Sequence, residues 1–211
     1  MSKIYDISQT LSAKTPVWPG DTAFQAERTW QRDDTCPVNV SKITMSSHAG
    51  THADAPLHYD NAGAAIDAVA LTPYIGPCIV VDVVGVSPLI RVEDVEDQIP
   101  NKVERVLFKM FEVYPTHVWP ENFPALSAEL IPFLADKGCL LVGIESPSVD
   151  PETSKEIPCH KQIEYYNLAI LEGLVLTEVP AGVYDLTALP LKMEGVDASP
   201  VRAILRDIQD A

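Results

Sequence analysis

Short runs rich in β-branched residues, each bounded by turn-forming residues, recur from one end of the chain to the other and limit its folds most. They include Ile4–Leu11, Val38–Met45, Cys78–Val84, Val103–Lys109, Cys139–Gly143, Leu174–Thr177, Gly182–Ala188 and Val201–Leu205. The Val38–Met45 run alternates apolar and polar residues, the pattern of a strand with one covered face. Prolines number 18, which calls for many turns and for loops of fixed conformation. Helical patterns are fewer. Ser127–Lys137 opens on a Ser cap and stops at Gly138, and Ile163–Leu171 stops at Gly173. Arg91–Gln98 and Ala64–Ala70 are weaker helical patterns. Strands outnumber helices and the two alternate in the middle of the chain, so a mixed α/β fold is expected; an all-β sandwich with helical insertions fits the same pattern.

At 211 residues the chain can bury a real core without a disulfide or a structural metal, and no shift in composition marks a linker. One domain over 1–211 is expected. The formal charge is −15, with no basic cluster to offset it, which disfavours nucleic acid and anionic membrane as partners. The 4 cysteines are widely spaced, with no C-x-x-C pair, and Cys78 and Cys139 sit in apolar runs as small buried hydrophobes. No signal-peptide pattern or apolar run of membrane-spanning length is visible, and a reduced, cytoplasmic protein is expected.

Of the 5 histidines, three fall in His48-Ala-Gly-Thr-His52-Ala-Asp54-Ala-Pro-Leu-His58. His48, His52, Asp54 and His58 all occupy even positions, so an extended chain points them to one face. Straight extension would separate the first from the last by about 33 Å. The segment must therefore curl to bring them together, and Gly50 and Pro56 stand where it can. Those same residues argue against a helix, and a loop leaving the Val38–Met45 strand is expected. Imidazole and carboxylate are the usual donors for zinc or manganese, and the absence of cysteine favours a catalytic over a closed structural site.

Further donors must come from elsewhere. His160, expected in a loop after the turn-rich Glu145–Pro151 segment, is the best remaining imidazole. Glu172 is the best distal carboxylate: at the expected end of the Ile163–Leu171 helix its charge would oppose the helix dipole, and a broken local rule marks a functional suspect. His117 has no carboxylate spaced beside it and reads as a loop histidine. Cys159 adjoins His160, but neighbours in sequence do not make a thiolate–imidazole pair. No G-x-S-x-G elbow, G-x-G-x-x-G or P-loop occurs.

The His48–His58 segment matches the H-x-G-T-H-x-D-x-P-x-H signature and resembles the cyclase-like metal hydrolases, within them the bacterial kynurenine formamidases (arylformamidases). The resemblance extends to Pro16–Asp21, Gly143–Lys155, Ile170–Leu174, Ala188–Leu191 and Asp197–Leu205. It implies an α/β fold of the swivelling type with a mixed sheet and packed helices, a homodimer, and two divalent metal ions per subunit, zinc by analogy. His48, His52 and Asp54 would hold one ion; Asp54 and Glu172 would bridge to a second bound by His160. His58 would be the general acid/base and Trp18 would help to bind substrate. The implied reaction is hydrolysis of N-formylkynurenine to kynurenine and formate by a metal-activated water. Glu145 departs from the family's G-I-D-T-P segment, where aspartate is expected, and bears on the loop before His160. Two other readings share the ligands: a sister amidohydrolase of the superfamily, and a metal-binding protein without turnover, which would need neither His58 nor Trp18.

Overall fold

The computed structural model describes residues 3–208; residues 1–2 and 209–211, at the ends of the expected 1–211 unit, lie outside the description. Its strands are β1 (Ile4–Asp6), β2 (Gln25–Trp30), β3 (Val40–Thr44), β4 (His52–Asp54), β5 (Ile75–Asp82), β6 (Leu89–Ile90), β7 (Arg105–Lys109), β8 (Ala125–Leu126), β9 (Leu141–Ile144), β10 (Ala169–Glu172), β11 (Gly182–Thr187), β12 (Ala198–Pro200) and β13 (Ile204–Asp207). The helices are α1 (Leu130–Asp136) and α2 (Pro158–Tyr166). Nine strands form one curled mixed sheet in the order β1-β13-β11-β5-β7-β9-β10-β4-β12. The run β5-β7-β9-β10 is parallel and the flanking pairs are antiparallel. No helix among the described residues is long and apolar enough to cross a membrane.

The parallel strands read as unbroken apolar runs because both of their faces are covered. Val106, Phe108, Val142, Ile144 and Ile170 pack with Leu130, Ile131 and Leu134 of α1 and Cys159 and Ile163 of α2. The alternate residues Leu107, Leu141 and Leu171 pack inside the curl with Ile7, Leu186 and Leu205. Burial of each large side chain stabilises by about 1.5–3 kcal/mol. A one-residue slip would exchange the two faces, so the packing pins the register of the strands that carry the site.

Several sequence expectations shift. The Ile163–Leu171 pattern is two elements: α2 ends at Tyr166, Asn167 turns left-handed at φ 54°, and the chain re-enters the sheet as β10. A short apolar run such as Ala-Ile-Leu fits helix and buried strand equally well. Leu174–Thr177 is not a strand, since its N–H groups go elsewhere: Val175 to the Ile7 carbonyl and Leu176 to the Glu145 carboxylate. α1 starts at Leu130, and the expected Ser127 cap makes no cap bond. Arg91–Gln98 holds only a 3-10 turn at Val92–Asp94, and Ala64–Ala70 forms turns. β3 pairs with β2 in a separate ribbon exposed on both faces, so no described element of this chain covers it.

Candidate metal centre and substrate cavity

The histidine segment curls where the sequence expected. Gly50 turns with φ +70°, and a Cβ there would meet Leu11 Cδ2 at 2.7 Å. The chain then runs extended as β4, inside the main sheet rather than as the expected loop. His52 and Asp54 share one face of this strand, while Ala53 and Ala55 face the core inside the curl. Pro56 opens a 3-10 turn, and that turn brings His58 back over the strand. Its ring centroid lies 4.2 Å from that of His48 and 5.9 Å from that of His160.

The other donors are placed by tertiary structure. Antiparallel pairing of β10 with β4 sets Glu172 directly opposite His52. Glu172 therefore ends a strand, not a helix, and the dipole argument for it falls although it does reach the cluster. Gly173, at φ +63°, lets the next residue turn away where a Cβ would lie 2.6 Å from the Gly50 carbonyl oxygen. His160 stands in the first turns of α2, not in a loop. Pro158 occupies the start of that helix, where a missing N–H costs nothing. The Asp150 carboxylate accepts the next two N–H groups, from Cys159 (2.9 Å) and His160 (3.1 Å). It also accepts from the His160 ring Nδ1 at 2.7 Å.

The convergence is close. Asp54 Oδ1 lies 3.1 Å from His48 Nδ1 and 3.3 Å from His52 Nε2. Asp54 Oδ2 lies 3.7 Å from His160 Nε2, and Glu172 Oε2 lies 3.5 Å from His52 Nε2. Yet His52 Nε2, His160 Nε2 and both Asp54 oxygens are buried without a hydrogen-bond partner. Buried polar atoms left unpaired are costly, so four of them aimed at one point call for a cation. Donors about 2.0–2.1 Å from a tetrahedral zinc stand roughly 3.3 Å apart, close to the separations seen here. The donor set fits a divalent metal, and the second nitrogens are already committed. His52 Nδ1 bonds the Gly50 carbonyl at 2.9 Å, as His160 Nδ1 bonds Asp150, leaving each Nε2 toward the centre.

Electrostatics agree. Burial disfavours charge on His52 and on His160. For His52 the adjoining Asp54 and Glu172 outweigh it, for His160 chiefly Asp150 and Asp54, and both pKa values rise to about 10. Burial likewise opposes the Asp54 charge, but the three imidazoles around it hold its carboxyl well below the usual range. Without metal the site thus keeps protons where a cation would sit, and metal loading must displace them.

Above the cluster opens a cavity of about 350 Å³. His48, His52, His58, His160 and Glu172 line it, as do Trp18 and Trp119. Trp18 meets Trp119 edge-to-face at 5.5 Å between ring centroids, and Trp119 Nε1 donates to Glu152 at 3.1 Å. All seven residues singled out from the sequence therefore come together: six in or beside the cavity and Asp54 beneath it. His117 lies exposed in a turn away from the cavity. Cys159 is buried, its thiol donating to the Leu126 carbonyl, and burial pushes its pKa far up, which suits packing rather than attack. Glu145 faces away from His160: its carboxylate accepts from the N–H groups of Met110, Phe111 and Leu176, so it ties strand ends together instead of shaping the His160 segment.

Two carboxylates in contact with the cluster gave no local signal in the sequence. Asp150 orients His160, as above. Asp197 lies 3.0 Å from His48 Nε2 and 3.4 Å from His58 Nδ1. Burial works against its charge, yet hydrogen bonds from His48 and Ser47 hold its carboxyl down to about 2.

The model of the Cyclase family matches residues 5–151, a span that includes the His48–His58 segment. Solved structures match over the whole chain. One described as a potential metal-dependent hydrolase with cyclase activity is 31% identical, with 100% of both chains covered and a TM-score of 0.85. A predicted metal-dependent hydrolase from Bacillus stearothermophilus is 30% identical, covering 99% of this chain and 100% of its own, with a TM-score of 0.84. Isatin hydrolase A from Ralstonia solanacearum, 24% identical over 97% of this chain and 92% of its own, shares the fold with a TM-score of 0.82. The chain belongs to the Cyclase family, within the superfamily of cyclase-like metal-dependent hydrolases.

Proposed function

We propose that this protein is a metal-dependent arylformamidase that hydrolyses N-formyl-L-kynurenine to L-kynurenine and formate. The observation that carries the reading is the set of unpaired buried donors beneath an aromatic-walled cavity. His48, His52 and Asp54 would hold one divalent ion, with Asp54 and Glu172 bridging to a second held by His160; zinc suits this donor set. Bound there, the ions would acidify water toward neutrality and polarise the formyl oxygen.

The chain's own groups do the rest. Trp18 and Trp119 offer aromatic faces to the substrate ring. The reaction breaks the formyl C–N bond, leaving the water's hydroxyl on formate and a proton on the arylamine nitrogen. His58, half-exposed beside the cluster, would carry that proton. A cavity of this size lies within the range that encloses a small aromatic substrate.

We also propose a cytoplasmic homodimer. All four cysteines are free, as a reducing compartment requires. The β2–β3 ribbon exposes Trp30, Val40 and Ile43, and a lone two-stranded ribbon is marginally stable without cover. Light scattering of the purified protein should give twice the 23.1 kDa chain mass, and a monomer would refute the dimer.

The activity test is release of formate and kynurenine from N-formylkynurenine, with and without chelator, beside isatin, a cyclic amide of an aromatic amine. Chelator-sensitive deformylation supports the proposal. Turnover of isatin alone would overturn the formamidase assignment, and no turnover of either would favour a metal-binding role.

A further inference from the structure

The Asp197 carboxylate touches two imidazoles at once. Its Oδ2 lies 3.0 Å from His48 Nε2 and 3.4 Å from His58 Nδ1, while Oδ1 accepts the Ser47 hydroxyl at 2.9 Å. Its place is fixed by the sheet: the Asp197 carbonyl accepts the Ala55 N–H at 2.9 Å, and the next residue, Ala198, pairs with Asp54 in the β12–β4 ladder. An ionised carboxylate only accepts hydrogen bonds, so both ring nitrogens facing it must be donors. The consequences differ for the two rings. His48 carries its proton on Nε2 and turns Nδ1 toward Asp54, the reverse of His52 and His160, whose Nδ1 atoms are tied to Gly50 and Asp150. His58 carries its proton on Nδ1, which leaves Nε2 as its one basic nitrogen.

We propose that Asp197 is the positioning residue of this centre, orienting His48 as a ligand and fixing His58 in the tautomer whose Nε2 accepts and returns the proton. The inference rests on the proposed role of His58 in hydrolysis. Asp197 does not touch the reacting atoms; it acts through the two rings. Carboxylate or carbonyl partners behind ligating imidazoles commonly fix tautomer and ring orientation in this way. Here one carboxylate serves a metal ligand and the acid/base group together, so the proton carrier is held in register with the metal. The same three side chains lie close enough to bind an ion themselves, and a metal count separates that reading from the proposal.

The test uses the zinc-loaded enzyme at pH 8. Long-range ¹H–¹⁵N NMR spectra report the protonated nitrogen of each imidazole, and with 5 histidines the signals are assignable by single substitutions. Wild type should show His58 protonated on Nδ1. Asp197→Ala should move that proton to Nε2, the form an unconstrained imidazole prefers. Zinc affinity should weaken about 10- to 100-fold through His48, but at saturating zinc the zinc content should stay unchanged; there kcat should fall about 100- to 1,000-fold and KM should stay within about threefold. In a His58→Ala background, Asp197→Ala should cost much less than in wild type, because Asp197 and His58 act as one unit and only the hold on His48 is left to lose. Ser47→Ala, which frees only Oδ1, should move kcat in the same direction by less and serves if Asp197→Ala does not fold.

An Nε2-protonated His58 in wild type, loss of an ion from Asp197→Ala even at saturating zinc, or fully additive losses in the double variant would each overturn the proposal. Wild type inactive on N-formylkynurenine would sink the formamidase reading instead, and the tautomer and zinc measurements would still decide Asp197. If His58→Ala kept full activity, both the role of His58 and this inference would fall, whereas the metal centre would stand.

Discussion

Replacing Asp150 by Asn tests whether the centre depends on the charge behind His160. The two carboxylate oxygens divide their work: Oδ1 accepts the Cys159 N–H at 2.9 Å, and Oδ2 accepts the His160 N–H at 3.1 Å and the ring Nδ1 at 2.7 Å. Asparagine matches the shape but offers one acceptor and one donor. Whichever way its amide turns, at least one N–H in the first turn of α2 loses its acceptor. A stranded buried N–H costs about 1–3 kcal/mol, and loss of negative charge at a helix start removes a further 0.3–1 kcal/mol, roughly. At about 2–4 °C per kcal/mol for a chain of this size, the metal-free melting temperature should drop by several degrees. Separately, the His160 ring loses its anchor, and loss of such a partner weakens metal binding about 10- to 100-fold. Thermal denaturation of chelated protein reads the first effect; competition with a chromogenic chelator reads the second. A variant as stable as wild type with undiminished zinc affinity would refute both links, because the cap and the ring anchor are the same carboxylate.

Asp54→Asn should strip both of the proposed ions, since each oxygen of Asp54 faces a different side of the imidazole cluster. Atomic absorption showing full zinc would contradict the bridging role. The metal-free chain should also show a stability that depends on pH through His52 and His160. Their pKa values are raised in the fold from an ordinary 6.5 to about 10, so the stabilisation is fully present below 6.5 and is lost as pH rises through about 10. Urea midpoints of chelated protein should therefore fall across that window, while the zinc-loaded midpoint stays nearly flat. Parallel pH curves for the two forms would show that these imidazoles do not hold the protons assigned to them.

Sequence legibility tracked the range of the interaction. The curl at Gly50 and Pro56 is local, and both turns stand where backbone chemistry demanded them. Apolar runs marked β5, β7 and β9, because burial on both faces leaves a composition signal that survives without neighbours; β11, with Tyr184 and Leu186 buried and Val183 exposed, has one covered face. The same signal failed at Ala169–Glu172, since three apolar residues carry no period that separates strand from helix. The charge of Glu172 at an expected helix end is a signal from the wrong element, since Glu172 reaches the site at the end of β10, opposite His52.

By itself the sequence determined that a compact histidine–aspartate set would form, because His52 and Asp54 two residues apart on an extended chain share a face whatever surrounds them. It also pointed to strands outnumbering helices, a pattern that fits a mixed sheet and an all-β sandwich with helical insertions alike. Only the tertiary structure decided how that set is completed. Antiparallel register puts Glu172 opposite His52, the cap of α2 joins Asp150 to His160, and the β12–β4 ladder delivers Asp197 to His48 and His58. These partners lie on other elements, and which carboxylate meets which imidazole depends on the packing of a sheet with two buried faces. A slip of one residue in β10 would turn Glu172 away from the centre and into the core.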